Sequence, residues 1–284
     1  MSLRLGYGTN GFGSHRLEDA LAVIAGLGYD GVALTLDQPH LDPFDADLAR
    51  RVSAVATRLD ELGLAVMVET GARYVLDPWR KHEPTLVSDE GRERRVDLLR
   101  RAVEVGCDLG AEAVSFWSGT LPDGASTDEG WDRLTDGVAE VLESARTHDV
   151  MCAFEPEPGM FVDRLDGVLE LRRRLGEPDL LGVTLDIGHI VCNEDDSITD
   201  VVERAGDLLA NVQLDDMRRG VHEHLAFGDG EVDLAEAMAA LEAVGFAGLA
   251  SVELPRHGHA APEVARRSLA ALRAALPTHE EVPV

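Results

Sequence analysis

The 284-residue sequence is poor in cysteine, in basic charge and in long apolar runs. Its three cysteines, Cys107, Cys152 and Cys192, are odd in number, far apart and outside any C-x-x-C pair. That spacing excludes a disulfide framework and an all-cysteine zinc site, and a reducing cytoplasm is the expected setting. Lys and Arg number 26 against 53 Asp and Glu, a formal charge of −27. Such a field repels a phosphate backbone, so a nonspecific nucleic-acid binder is excluded, and most of the surplus acid reads as solvated surface. No stretch approaches about 18 uncharged apolar residues, and the start MSLRLGYGTNGFGSHRLEDA lacks the charged, apolar and small-residue order of an export signal. A soluble, unexported protein without membrane partners is expected.

What is present is alternation. Short β-branched runs begin at Leu3, Asp30, Leu64, Glu112, Val150, Leu181, Leu209 and Leu249, and segments with apolar residues at spacings of three and four lie between them. Three of those amphipathic segments, from Arg16, Ala46 and Arg92, end in a glycine just past the last apolar position, the usual helix stop. Eight strand and helix pairs at about 35 residues each predict an α/β fold, a (β/α)8 TIM barrel, as one domain over residues 1–284. The competing architecture is an open doubly wound sheet. Gly6, Gly8 and Gly11 have the G-x-G-x-x-G spacing it would want, with Asp37 imitating a ribose-binding acid, but these glycines lead into a loop and not a helix.

The chemistry collects at the ends of the later strands. VMCAFE ends in Glu155 and LGVTLD in Asp186, while LANVQL carries Gln213, with Asp215 and Asp216 following, and LASVEL carries Glu253. In a parallel barrel the carboxyl ends of the strands converge on one face, so side chains about 30 residues apart can meet. Crowded carboxylates repel one another without a cation, and oxygen donors beside imidazoles point to Mn²⁺, Mg²⁺, Co²⁺ or Zn²⁺. The alternative for each acid is a helix cap or a partner for loop amides.

A second cluster holds His189, His222 and His224. The last two are two residues apart, so in extended chain they point the same way, with Gly228 and Gly230 permitting a turn behind them. Three imidazoles suit zinc with one position open; equally, they suit a pocket wall that hydrogen-bonds a polyol. In the long segment from Thr70, Arg73, Arg80, Lys81 and His82 form a local positive group able to hold a phosphate or carboxylate, and Trp117 and Trp79 offer an apolar wall to a sugar ring.

Taken together, Glu155-Pro156, Leu185-Asp186-x-x-His189, the Asn211-Val212-Gln213-Leu214-x-Asp216 strand, the His224-x-x-x-Gly228-x-Gly230-x-Val232 loop and the terminal Glu253 resemble the xylose isomerase-like superfamily over nearly the whole chain. The superfamily includes sugar-phosphate isomerases, ketose 3-epimerases, inosose dehydratases, hydroxypyruvate isomerases and endonuclease IV. The resemblance implies that Glu155, Asp186 and Glu253 bind a divalent metal and that His189 and Arg219 contact substrate. The position of Gln213 is normally a histidine. An amide oxygen there is a harder ligand, which favours Mn²⁺ or Mg²⁺ over Zn²⁺. Endonuclease IV binds an extra zinc through His, Asp and His where this chain has His189, His222 and His224, but its earlier strand-end histidines have no counterpart here.

The expected activity is therefore isomerisation or epimerisation of a sugar, keto-sugar or cyclitol through an enediolate. Glu155 and Glu253 would be the acid and base, and Arg73, Lys81, His82 and Trp117 would bind the substrate. A metal-dependent lyase or dehydratase and a non-catalytic binding barrel are the alternatives. Homo-oligomer assembly is compatible with the sequence, which does not select it.

Overall fold

A computed structural model describes residues 3–71 and 73–277. The strands run β1 (Arg4–Gly8), β2 (Gly31–Thr35), β3 (Ala65–Glu69), β4 (Val114–Phe116), β5 (Cys152–Phe154), β6 (Leu181–Asp186), β7 (Leu209–Leu214), β8 (Asp216–Arg218), β9 (Val221–Leu225) and β10 (Leu249–Val252). Helices α1 (Leu17–Leu27), α2 (Leu48–Leu62), α3 (Arg92–Leu109), α4 (Thr127–His148), α5 (Leu165–Arg174), α6 (Ile187–Asn193), α7 (Ile198–Ala205), α8 (Leu234–Ala243) and α9 (Ala261–Ala275) lie between and after them. All eight strands expected from the sequence form, in the closed parallel order β1-β10-β7-β6-β5-β4-β3-β2. The fold is a (β/α)8 TIM barrel. Helices α1, α2 and α3 stop where the glycine signal placed them, with Gly28, Gly63 and Gly110 left-handed and their amides turned back onto helix carbonyls.

Closure of the sheet rules out the doubly wound alternative. β1 pairs with β10, Arg4 opposite Leu249 through Tyr7 opposite Val252, so no sheet edge is left for a dinucleotide crevice. The G-x-G-x-x-G spacing has a packing cause instead. A Cβ on Gly6 would lie 2.4 Å from Ser251 Oγ and 2.8 Å from Leu249 Cδ2, inside the barrel. Asp37 accepts the amide of Gln38 at 2.7 Å.

The barrel interior is layered from an apolar floor to a polar mouth. Ala33, Met67 and Leu249 form an apolar cluster of their own, and the much larger cluster that includes Leu5, Val32, Val66 and Leu241 joins strands to helices. Above the floor, Ser115 Oγ and Asn211 Nδ2 meet Thr184 Oγ1 at 2.8 and 3.3 Å. The strand ends then set the mouth in register, Thr35 beside Glu69 and Asp186 beside Gln213.

The segment after β7 departs from the extended loop expected there. It folds as an antiparallel hairpin, β8 against β9, turned at Gly220 with φ 72°. Asp216 clasps the turn beyond β9: Oδ2 accepts the amides of Gly228 and Gly230 at 2.8 and 2.9 Å, and Oδ1 accepts that of Val232 at 2.9 Å. A Cβ on Gly230 would sit 2.3 Å from Asp216 Oδ1, so the Asp216, Gly228, Gly230 and Val232 spacing is a structural clasp. For this acid the loop-amide alternative is the one realised. Asp216→Ala leaves three amides without their carboxylate, and a loss of about 3 kcal/mol is expected from charged hydrogen bonds of this kind. Thermal unfolding checks it: a midpoint several degrees lower than wild type is predicted, and an unchanged one contradicts the clasp.

Candidate metal centre and cavity

The carboxylates at the mouth are held by backbone bonds that extend the barrel ladder past the strands. The Glu155 amide donates to Phe116 O and the Glu253 amide to Leu214 O, both at 2.9 Å. Asp186 ends β6. One oxygen from each of Glu155, Asp186 and Glu253 lies within 4.8 Å of the other two. The helix-cap alternative holds for Asp186, but for one oxygen only: Oδ1 accepts the His189 amide at 3.0 Å and starts α6, while buried Oδ2 has no hydrogen-bond partner.

Gln213 supplies a second unpartnered oxygen. Its Nε2 donates to Glu69 Oε1 at 2.8 Å, and a carboxylate can only accept, so this contact fixes the amide's orientation. Oε1 is left buried and without a partner. Buried polar atoms in native proteins are nearly always satisfied, so two orphaned oxygens beside a carboxylate cluster fit a bound cation. Donors of this kind are hard and favour a hard ion.

The electrostatics agree. Burial first, and then the neighbouring carboxylates, push Glu155 well above the usual carboxylate range; the same causes act on Glu253 and Asp215. Asp186 goes the other way. Burial opposes its charge, but His189, His224 and the His189 amide hold its pKa below the usual value.

Glu69 was not among the residues that the sequence pattern selected. It accepts from Gln213, from Thr35 Oγ1 at 2.9 Å and from Asn10 Nδ2 at 3.3 Å, and Asn10 also donates to Glu253 Oε1 at 2.9 Å. Its signal was legible: LAVMVE ends in an acid at the same strand position as VMCAFE and LGVTLD. Asn10 had no comparable signal, since it lies in the 3₁₀ turn after β1.

The three histidines meet. His189 comes from the first turn of α6, and His222 and His224 come from one face of β9. His189 Nε2 and His222 Nε2 are 3.1 Å apart, and His224 Nδ1 is 2.5 Å from the Oδ2 of fully buried Asp215. Burial lowers the pKa of His222, and that of His224 to about 3. Arg219 does not join them. It is exposed on the hairpin turn, and its guanidinium donates to the backbone oxygen of Glu194.

A cavity of about 350 Å³ opens over these groups, lined among others by Arg73, Lys81, His82, Trp117, Glu157 and Arg256. Arg80 stays outside, paired with Asp77 at 2.9 Å, and Trp79 is 90% exposed. His82 contributes no charge: burial, then Lys81, lower its pKa to about 4, and Nδ1 meets Gly71 O at 2.7 Å. Buried Arg95, which the sequence did not single out, organises this wall. Its guanidinium donates to Pro84 O at 3.0 Å and His82 O at 2.5 Å and lies 4.8 Å from the Trp117 ring centroid.

A mouth of this chemistry on this barrel defines a class, and sequence comparison names it. The family profile described as xylose isomerase-like TIM barrel matches residues 21–275, and the chain belongs to that family. Among individual relatives, L-ribulose-5-phosphate 3-epimerase of Salmonella paratyphi C is 25% identical over 231 residues, 80% of this chain and 78% of the relative. Two solved structures share the fold. The 3-keto-D-glucoside 4-epimerase of E. coli superposes with a TM-score of 0.78 at 16% identity, covering 96% of this chain and 100% of that one. An L-ribulose 3-epimerase superposes with a TM-score of 0.78 at 21% identity, covering 96% and 94%. Among the described residues no helix is long and apolar enough to cross a membrane.

The crowding of the carboxylates makes a prediction of opposite signs. In chelator at pH 8, Glu155→Gln removes one of several mutually repelling buried acids and should raise the thermal midpoint by a few degrees. With saturating Mn²⁺ the same variant should melt below wild type, because ligand binding stabilises only the state that can bind. Melts under both conditions check it, and a variant that shifts the same way in both contradicts a cation site at Glu155.

Proposed function

We propose that the chain is a divalent-metal-dependent isomerase or epimerase of a sugar-like substrate, acting as one barrel domain over residues 1–284. The observation that carries this reading is the meeting of Glu155, Asp186 and Glu253 under a sugar-sized cavity that Gln213, in register with Asp186 and with its Oε1 unpartnered, also lines. Relatives named as epimerases of ribulose 5-phosphate, ribulose and a 3-ketoglucoside support it. Glu155, Asp186, Glu253 and Gln213 would hold the ion. Their oxygen donors favour Mn²⁺ or Mg²⁺ over Zn²⁺ or Co²⁺. Bound there, the ion supplies Lewis-acid polarisation of a carbonyl and so acidifies the adjacent C–H.

The protein's own groups then move the proton. Glu155 and Glu253 follow β5 and β10, three places apart around the eight-strand ring, and so approach a substrate from different sides. One carboxylate takes the proton from carbon and the other returns one to the enediolate. Return to the opposite face of the same carbon epimerises, and return to the neighbouring carbon isomerises. Asn10 steadies Glu253 through its 2.9 Å bond, and His189 Nδ1 faces Glu155 Oε1 at 3.5 Å. Trp117 and neutral His82, edge to face at 5.1 Å, wall the ring of the substrate. Arg73 and Lys81 bring positive charge to the cavity wall, beside Arg256 in its ion pair with Glu223, and would receive a phosphate or carboxylate. Arg219, engaged with Glu194 O, is left to orient the hairpin rather than the substrate. The free thiol of exposed Cys107 suits the reducing cytoplasm.

Incubation of Mn²⁺-loaded protein with keto-sugars and their phosphates in D2O tests the reading. An epimer or isomer carrying one carbon-bound deuterium is expected, with turnover at least about 100-fold lower in Glu155→Gln and in Glu253→Gln. Near-normal turnover in both variants contradicts the acid and base assignment, and elimination products identify a dehydratase. For anionic substrates, Arg73→Gln and Lys81→Gln should raise KM about tenfold or more with kcat little changed, as expected when a binding contact made equally in ground and transition states is removed.

A further inference from the structure

The rim divides into two chemical halves. The ends of β5, β6, β7 and β10 bring Glu155, Asp186, Gln213 and Glu253, while those of β1 and β2 bring the neutral side chains of Asn10 and Thr35, and β3 brings one acid, Glu69. Among the described residues Glu69 belongs to none of the groups of three whose ligand atoms lie within 4.8 Å of one another. We propose that Glu69 is a positioning residue for the cation site, a buried carboxylate outside the ion's own ligands that aims Gln213 Oε1 at the ion and, through Asn10, fixes which oxygen of Glu253 is free to reach it. The proposal rests on the oxygen-donor cation site and adds to it a residue that never touches the ion.

The hydrogen bonds form a frame across the barrel. β3 and β7 stand four places apart in the eight-strand ring, so the 2.8 Å bond from Gln213 Nε2 to Glu69 Oε1 spans the lumen. The second oxygen, Oε2, accepts from Thr35 Oγ1 at 2.9 Å, in register beside it, and from Asn10 Nδ2 at 3.3 Å. Both oxygens of Glu69 are engaged. Thr35 is itself held, its amide donating to Thr9 Oγ1 at 3.0 Å. Asn10 Nδ2 also donates to Glu253 Oε1 at 2.9 Å, which leaves Oε2 of that residue as the oxygen without a hydrogen bond among the described residues. A Cβ on Gly8 would come within 2.9 Å of Asn10 Oδ1, so the bare backbone at Gly8 leaves the room this amide needs. Asn10, Thr35, Glu69 and Gln213 are each at most 9% exposed, and water competes little for these bonds. A carboxylate behind a metal ligand fixes its orientation and raises its basicity, and an amide whose N–H is bonded to a carboxylate is polarised in the same sense, with more negative charge on its oxygen. Packing alone would be met by an apolar side chain at position 69. It does not account for a buried acid with three donors, one of them the amide whose oxygen is orphaned.

Mn²⁺ titration of metal-stripped protein, followed by the electron paramagnetic resonance of free manganese, tests the proposal. Wild type should bind one equivalent, and Glu69→Leu should bind it at least about tenfold more weakly although every ligand remains. Glu69→Ala serves as a second variant, and melts in chelator show that each variant folds. The charge-conserving exchange of Glu69→Gln with Gln213→Glu reverses the hydrogen bond across the barrel and should return the affinity to within about threefold of wild type, a rescue that a packing role would not give. Crystals of Glu69→Leu soaked in Mn²⁺ should show the ion with Glu155, Asp186 and Glu253 and with Gln213 Oε1 turned away. Unchanged affinity in both single Glu69 variants, an exchange that binds no better than Glu69→Leu, or a Glu69→Leu crystal with Gln213 Oε1 still on the ion overturns the proposal. Wild type that binds no manganese overturns the cation site itself, and this proposal with it.

Discussion

Closing a parallel sheet of eight strands forces all their carboxyl ends onto one rim, and here that rim brings Glu69, Glu155, Asp186 and Glu253 together with Asp215 in a poorly solvated space. Every other feature of the mouth answers the mutual repulsion of these acids. Glu69 accepts from three donors and Asp186 from a helix N-terminus on one oxygen, while Asp215 meets His224 through Oδ2 alone and is still pushed well above the usual carboxylate range. Asp186 Oδ2, Asp215 Oδ1, Asn10 Oδ1 and the carbonyl end of Gln213 have no hydrogen-bond partner, and Glu155 and Glu253 are pushed well above the usual carboxylate range. Among these groups, one oxygen each of Glu155, Asp186 and Glu253 lies within 4.8 Å of the other two, close enough to share one cation.

Two devices outside that set keep it in shape. Asp216 holds the turn behind β9 through three backbone amides, and so fixes where His222 and His224 stand. Arg95 does the same for the opposite wall by gathering the carbonyls of Pro84 and His82 under Trp117. Neither side chain needs to touch a substrate. Both convert loop segments, the most variable part of a barrel, into rigid walls around a fixed rim.

The barrel was legible because its signals are local and repeated: β-branched runs, helical spacing and glycine stops recur along the chain. The strand-end acids were legible because barrel closure turns sequence periodicity into spatial proximity. Where reading failed, the cause was a contact formed only in three dimensions. Gln213 reads as a departure from a histidine pattern, whereas the orientation of its amide depends on Glu69, 144 residues away. His82 and Arg80 read as cations, yet burial neutralises one and Asp77 occupies the other. The resemblance implied a substrate contact for Arg219, whereas here it stands exposed beside the tight turn at Gly220 with its guanidinium on Glu194 O. The Asp216 clasp could be seen as a pattern of residues, although its meaning appeared only once the amides of Gly228, Gly230 and Val232 converged on one carboxylate.

The cation site proposed at the barrel mouth has oxygen donors completed by an amide. Anomalous scattering from crystals soaked in Mn²⁺, recorded on both sides of the manganese absorption edge, tests it most directly. A single strong manganese peak bonded to Glu155, Asp186, Glu253 and Gln213 Oε1 is the predicted result. A peak elsewhere, or manganese bound with Gln213 turned so that its amide nitrogen faces the ion, would contradict it.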